Sequence, residues 1–278
     1  REMQGMADAS GVDYKDLVRI HMIGEVTKGA CSYYGAYGSA TLGGKTLQLR
    51  ALDWDTSAGL QNHPAVIIYH PYNASLGHAF ANVGWTGWIG TLTGMSSKQL
   101  GISEIGIDYP DKINFGDESF VGIPFIFLER EIIQRAHSLA DAKHRIATAN
   151  RTCRLVLGVA DARANDATLV AYSHSKALFF NDTDLEPNEP WHPRINDAVY
   201  CGMDWMCPYY QNLLHQQLKY YHGLLTPELS IMNVTAAVQT GSLHVAVYDL
   251  TDMMLFVANA RGSNDAGPKD AYDRQFVR

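Results

Sequence analysis

The hydrophobic positions of this chain change period several times, and each change marks a passage between helical and extended stretches. Over residues 3–26, Leu17, Val18, Ile20, His21 and Ile23 fall on overlapping helical turns, with Asp13 placed as an N-cap. Residues 31–55 differ in kind: small and aromatic positions (CSYYGAYGSAT) lead to Gly43-Gly44 and then to KTLQLRALDWD, which predicts a hairpin. A short buried strand is expected over 65–70, and tight antiparallel strands over the glycine-rich 84–106. Helices follow over 123–135 and from Ser138, where Ser138 and Asp141 resemble a capping box. Strands return over 154–160 and 168–180. A helix over 208–221 stops at His222-Gly223, and Thr226-Pro227-Glu228 opens another. Residues 242–248 and 253–258 read as a last antiparallel pair.

Helices therefore come in pairs between runs of strands, which disfavours a doubly wound parallel sheet. The pattern fits an α+β fold of two antiparallel sheets packed face to face with helices outside. Neither a linker nor an internal repeat is visible, so one domain is expected. The 278 residues suffice for a large core, and 46% hydrophobic with 18% charged residues is a globular composition.

Net charge is −7 and the 22 Lys and Arg residues form no run, which argues against a nucleic-acid partner. The longest apolar stretches, such as VGIPFIFL, are too short to span a bilayer. Four sequons stand at Asn73, Asn150, Asn181 and Asn233, suggestive of a secretory-route glycoprotein. The four cysteines, Cys31, Cys153, Cys201 and Cys207, allow three pairings of two disulfides, and no spacing resembles a zinc site. Cys201 and Cys207 flank GMDWM and are close enough in sequence to bridge a small loop. If they pair, Cys31 and Cys153 remain, and a free Cys31 would be available for chemistry.

The segment CSYYGAYGSATLGGKTLQLRALDWD resembles the start of the mature chain in cysteine N-terminal-nucleophile hydrolases. That group includes the isopenicillin N acyltransferase-like and acid ceramidase-like proteins and the bile-salt and penicillin V hydrolases. The shared pattern is Cys31-Ser32, the Gly43-Gly44 turn, and Arg50 with Asp53 on the following strand. Residues 2–32 resemble the pro-segment of such proteins, and GWTGWIGTLTGMSSKQLGIS and VQTGSLHVAVYDL resemble later hairpins of the family. The resemblance implies a four-layer αββα sandwich and self-cleavage between Ala30 and Cys31. It also implies that residues 1–30 are a pro-segment, the C-terminal part of an α subunit, folded in one domain with a catalytic β subunit of residues 31–278. The chain opens on Arg1, so further α-subunit residues are expected upstream. Arg50 and Asp53 are expected to orient the Cys31 nucleophile and contact substrate.

Elementary chemistry supports the same reading. A thiol with a pKa near ~8.5 needs a base at neutral pH, and a cysteine at a chain terminus carries one in its α-amine, which titrates near ~7.7–8.0. No metal or organic cofactor is needed. Oxyanion or substrate contacts are expected among Asn82, Asn196, His244 and Asn259, with Asp204 a further pocket residue or a loop cap. His244 also reads as an ordinary sheet histidine, and Arg50 with Asp53 as a structural ion pair. The expected substrate is a small, lipid-like N-acyl amide, ceramide among the options, handled in a secreted or lysosomal setting. Acyl transfer through the same acyl-enzyme and non-catalytic ligand binding are the alternatives. A papain-like protease fits worse, because its Cys should open a helix, whereas Cys31 opens a strand.

Overall fold

The alternation of small and aromatic side chains after residue 29 makes a strand that is buried on both faces, and the rest of the molecule is arranged around it. The computed structural model describes residues 1–278 except 28, 108–111 and 204–207, and only the backbone of 112, 113, 208, 209 and 211. Three short helices come first: α1 (Glu2–Ser10), α2 (Tyr14–His21) and α3 (Ile23–Val26). The helical stretch expected over 3–26 is thus broken twice. Gly11 in the left-handed region ends α1, and the Asp13 carboxylate accepts from the Lys15 N–H to start α2.

Strands β1 (Ala30–Ala36) and β2 (Leu47–Asp53) form the expected antiparallel hairpin. Gly43-Gly44 does not close it as a two-residue turn; it lies in one of two 3-10 turns in the longer connection. Next come β3 (Pro64–Tyr69), β4 (Phe80–Trp85), β5 (Thr93–Ser96) and β6 (Leu100–Ile105), then α4 (Lys112–Phe115), α5 (Phe125–Arg135) and α6 (Leu139–Thr148). They are followed by β7 (Arg154–Asp161), β8 (Asp166–Ser173), β9 (Ala177–Phe180), β10 (Ala198–Cys201) and α7 (Pro208–Tyr220). The chain then runs through α8 (Pro227–Leu229), a π turn (Ser230–Thr235) and α9 (Ala236–Val238) to β11 (His244–Asp249) and β12 (Met254–Asn259).

The strands form two antiparallel sheets. One has five strands in the order β10-β1-β2-β11-β12, the other seven in the order β3 to β9. Polar side chains tie the facing surfaces together: Gln48 Nε2 donates to Ser103 Oγ at 2.8 Å, and Arg50 Nη1 to Thr93 Oγ1 at 3.2 Å. Helices α5 and α6 lie against the larger sheet, and α7 and α8 against the smaller. This is an α+β, four-layer αββα sandwich of two antiparallel sheets flanked by helices.

Other local readings needed correction, among them the single run expected over 168–180, which is the hairpin of β8 and β9. The strand expected to be buried at 65–70 is an edge strand with Val66 and Ile68 exposed, because β3 has a neighbour on one side only. Strand β10 was not foreseen; it pairs with β1 as the other edge of the smaller sheet.

Contacts from each N-terminal helix dock it on the body. Arg130 bonds Glu2 at 2.9 Å. The Ile89 N–H donates to His21 Nε2 at 2.9 Å. Glu25 Oε1 accepts from the Phe125 N–H at 2.8 Å, capping α5, which has no side-chain cap at Pro124. No helix among the described residues is long and apolar enough to cross a membrane.

Candidate active site

In the β1–β2 register, Cys31 lies opposite Leu52, and Tyr33 lies opposite Arg50. Cys31 and Arg50 are therefore diagonal neighbours on the face that meets the larger sheet. The Arg50 guanidinium is fully buried, and each of its five N–H groups has an acceptor. Nε donates to the Glu104 carbonyl at 3.1 Å. One edge, Nη2, donates to Glu104 Oε2 at 2.8 Å and to Cys31 Sγ at 3.4 Å. The other, Nη1, donates to Thr93 Oγ1 at 3.2 Å and meets His244 Nε2 at 2.9 Å. The Cys31 thiol donates in turn to Glu104 Oε2 at 3.9 Å.

Burial dominates the electrostatics. It pushes the Cys31 thiol up to about 12, although Arg50 and the Gly106 N–H pull the other way. The thiol is thus protonated at neutral pH in the intact chain. Burial also raises the Glu104 carboxyl, with the Arg50 cation opposing it. His244 is held well below its ordinary value, first by burial and then by Arg50, so its ring is neutral. Behind Glu104, Glu129 of α5 is buried with neither carboxyl oxygen hydrogen-bonded among the described residues. Burial, reinforced by Glu104, pushes it well above the carboxylate range and keeps it a neutral acid.

Asp53 lies opposite Ala30 and points to the other face of the hairpin. Its carboxylate accepts from Thr240 Oγ1 at 2.6 Å, the Gly241 N–H at 2.9 Å and the Ser242 N–H at 2.8 Å. Thr240 Oγ1 also lies 2.9 Å from Ser32 Oγ. This cradle depends on Gly241, whose φ is +99° and where an added Cβ would sit 2.2 Å from Val245 Cγ2. A cavity of about 680 Å³ opens here, lined by Ala30, Asp53, Trp54, Leu60 and Ser242, with Ile23 and Thr27 forming a wall from the N-terminal segment. The Gly29 carbonyl fits against Gly106, where an added Cβ would come within 2.0 Å of it. The Ala30–Cys31 peptide bond therefore lies between a mostly apolar cavity and the buried Arg50–Glu104 pair.

No protein-family model matches the sequence. By sequence the chain is similar to two Dictyostelium discoideum proteins. It is 39% identical to Protein dcd1A over 293 residues, covering 100% of this chain and 65% of that protein. It is 33% identical to Protein dcd1B over 289 residues, covering 100% and 56%. The chain thus spans between about half and two thirds of these relatives' length. Among solved structures it resembles the Caenorhabditis elegans ortholog of N-acylethanolamine-hydrolyzing acid amidase. The TM-score there is 0.59 at 14% identity, over 79% of this chain and 93% of that one. A mutant of the conjugated bile acid hydrolase from Clostridium perfringens gives a TM-score of 0.51 at 11% identity, over 89% and 96%. This chain has the N-terminal-nucleophile hydrolase fold.

On that fold, Cys31 and Arg50 lie together, while Asp53 sits on the far face of the hairpin, beside Ala30 rather than paired with Arg50. His244, at the start of β11, meets the cluster through Arg50 Nη1. Asn259 lies across from His244 in the β11–β12 register and is half-buried. Asn82 has no hydrogen bond to Cys31 among the described residues. Its strand alternation places it with Phe80, on the face where Arg130 of α5 packs, and its Nδ2 donates to the Gly90 carbonyl at 2.7 Å. Asn196 is exposed beyond the other end of β1, bonding Ser39 Oγ at 2.9 Å. Asp204 and Cys207 lie outside the described residues, and the Cys201 thiol is buried and free. Of the sequons, Asn73 and Asn150 are exposed, whereas Asn233 Nδ2 donates to the Tyr221 hydroxyl at 2.7 Å.

Glu104, Thr93 and the cradle of Thr240, Gly241 and Ser242 were missed. A charged residue inside the apolar run GISEIGI was the available signal for Glu104, of the same kind that singled out Arg50. The cradle left no such mark, since it acts through backbone N–H groups.

Proposed function

We propose that this chain is a self-processing cysteine amidohydrolase that cleaves a linear, lipid-like N-acyl amide through an acyl-enzyme on Cys31. The observation that carries the reading is the position of Cys31. Its thiol touches Arg50 and Glu104, and its own N-terminal peptide bond borders the cavity at Ala30.

Self-cleavage begins when Glu104, the thiol's hydrogen-bond acceptor, takes its proton while Arg50 steadies the developing thiolate. Sγ then bonds to the Ala30 carbonyl carbon. As the carbon–nitrogen bond breaks, the Cys31 nitrogen takes the proton from Glu104 and becomes a free amine. Water hydrolyses the resulting thioester, leaving an Ala30 carboxylate, the Cys31 thiol and its α-amine. That amine lies near Asp53, whose carboxylate would accept one of its N–H groups and leave the nitrogen lone pair free to act as a base.

In turnover the amine takes the thiol proton, and Sγ adds to the substrate's acyl carbonyl. The leaving amine departs with that proton, and water releases the fatty acid from the thioester. The apolar lining of the cavity suits an acyl group. On this reading residues 1–30 are a pro-segment that stays docked after cleavage, held by Glu2, His21 and Glu25. A secreted or lysosomal setting accords with the sequons.

The test is to follow hydrolysis of a panel of fluorogenic long-chain and short-chain N-acyl amides by processed protein. Release of amine that is lost in Cys31→Ala supports the reading. Processed, folded protein that binds the panel without turnover sinks it.

A further inference from the structure

The Nη1 edge of Arg50 makes no contact with the sulfur, yet two side chains from two different strands are committed to it. Thr93 comes from β5 of the larger sheet and His244 from the start of β11 in the smaller. Thr93 Oγ1 and His244 Nε2 are themselves 3.0 Å apart, so the three groups close a small ring.

The chemistry of the partners fixes the state of His244. An arginine has N–H donors and no acceptor. His244 Nε2 at 2.9 Å from Nη1 must therefore present its lone pair, and the single ring proton sits on Nδ1. That Nδ1 is buried and has no hydrogen-bond partner among the described residues. An unspent buried donor is a cost, and it is incurred so that Nε2 can serve as an acceptor. The groups facing the ring are Arg50 from β2, Thr93 from β5 and Trp85 from β4, whose ring centroid lies 6.0 Å away. The Glu104 carboxylate is engaged on the opposite edge of the guanidinium. A protonated His244 would thus face a cation at hydrogen-bonding distance with no counter-charge of its own among the described residues.

We infer that His244 is a positioning residue for Cys31, acting through Arg50. Its neutral imidazole and Thr93 pin the Nη1 edge so that the fifth N–H, on Nη2, can point only at Sγ. Without the Nε2 acceptor only Thr93 remains on the Nη1 edge, the guanidinium can shift about its bonds to Glu104, and the thiolate loses an aimed donor. The role presupposes the amidohydrolase reading, and self-cleavage reports on both.

The experiment measures the rate of Ala30–Cys31 cleavage against pH for the wild-type chain, His244→Gln and His244→Phe. The Gln amide oxygen stands three bonds from Cβ, as Nε2 does, and keeps the acceptor; Phe keeps the ring and removes it. The expected result is a Phe variant whose apparent thiol pKa is higher by about one unit, so that it cleaves about tenfold more slowly at neutral pH. The Gln variant should keep the wild-type profile. A filler role would lower the melting temperature of the Phe variant and leave its pH profile in place, which would overturn the inference. If the Phe variant does not fold, the Gln variant decides: a displaced profile there also overturns it. A wild-type chain that never cleaves removes the amidohydrolase reading and this role with it.

Discussion

Arg50 Nη2 stands 3.4 Å from Cys31 Sγ while the same nitrogen holds Glu104 Oε2 at 2.8 Å, so one buried cation serves a thiol and a carboxylate together. The planar fork makes this possible, and lysine has no equivalent. Arg50→Lys should keep the charge and lose the aim. Self-cleavage is expected to slow by on the order of 10²-fold, as for the loss of one oriented donor. The time course of the intact-mass change measures it, and a wild-type rate would mean that charge alone matters.

Among the described residues Glu104 is the sole carboxylate bonded to Arg50, and both groups are buried. Glu104→Ala leaves the guanidinium uncompensated and should cost about 3–5 kcal/mol of stability. Urea unfolding of the uncleavable Cys31→Ala background gives the number free of processing. A change below about 1 kcal/mol would show that water or rearrangement replaces the pair.

At Gly241 a side chain would occupy both a left-handed backbone position and the space of Val245. Gly241→Ala is expected to cost on the order of 1–3 kcal/mol and to displace the N–H groups that hold Asp53. Thermal melting measures the first effect. A fall in the cleavage rate measured well below the variant's melting temperature measures the second.

His21 ties the N-terminal segment to the body as a neutral ring. It is stacked on Trp88 with centroids 5.0 Å apart and accepts from the Ile89 N–H. Burial, then the nearby Arg130, lower its pKa, against the Leu17 carbonyl that raises it. Arg130 is itself paired with Glu2. Because the folded value lies below the unfolded value of about 6.5, nothing is lost above that pH. Stability falls as the pH drops from there toward the folded value. Melting temperatures between about pH 7 and pH 5 should therefore decline less in His21→Gln than in the wild type. Parallel slopes would exclude His21 as the source.

Much of the architecture was legible because it rests on periodicity. Paired helices between strand runs gave two sheets with helices outside, and Asp13, Ser138 and Thr226 cap helices as expected. What escaped was set by neighbours in space. Nothing in the sequence around 64–69 says that β3 has a partner on one side only, and the four residues of β10 are too few to show a period. At the site, Cys31 and Arg50 were readable as unusual residues in a strand pattern. Asn82 was one of several oxyanion candidates, and a strand's two faces are distinguished by what packs on each, which the sequence around Asn82 does not show. His244 was ambiguous for the same reason, since its meaning depends on Arg50 reaching it from the adjacent strand β2.

The most direct test of the whole account is the state of the Ala30–Cys31 bond. Purified wild-type chain and Cys31→Ala would be incubated from about pH 4.5 to about pH 7.5, a span covering carboxyl and imidazole titration. Intact mass and N-terminal sequencing then read the products. The account predicts a new chain beginning Cys-Ser-Tyr-Tyr from the wild type and none from the variant. An unbroken bond in folded wild-type protein at every pH, or the same cleavage in Cys31→Ala, would contradict it.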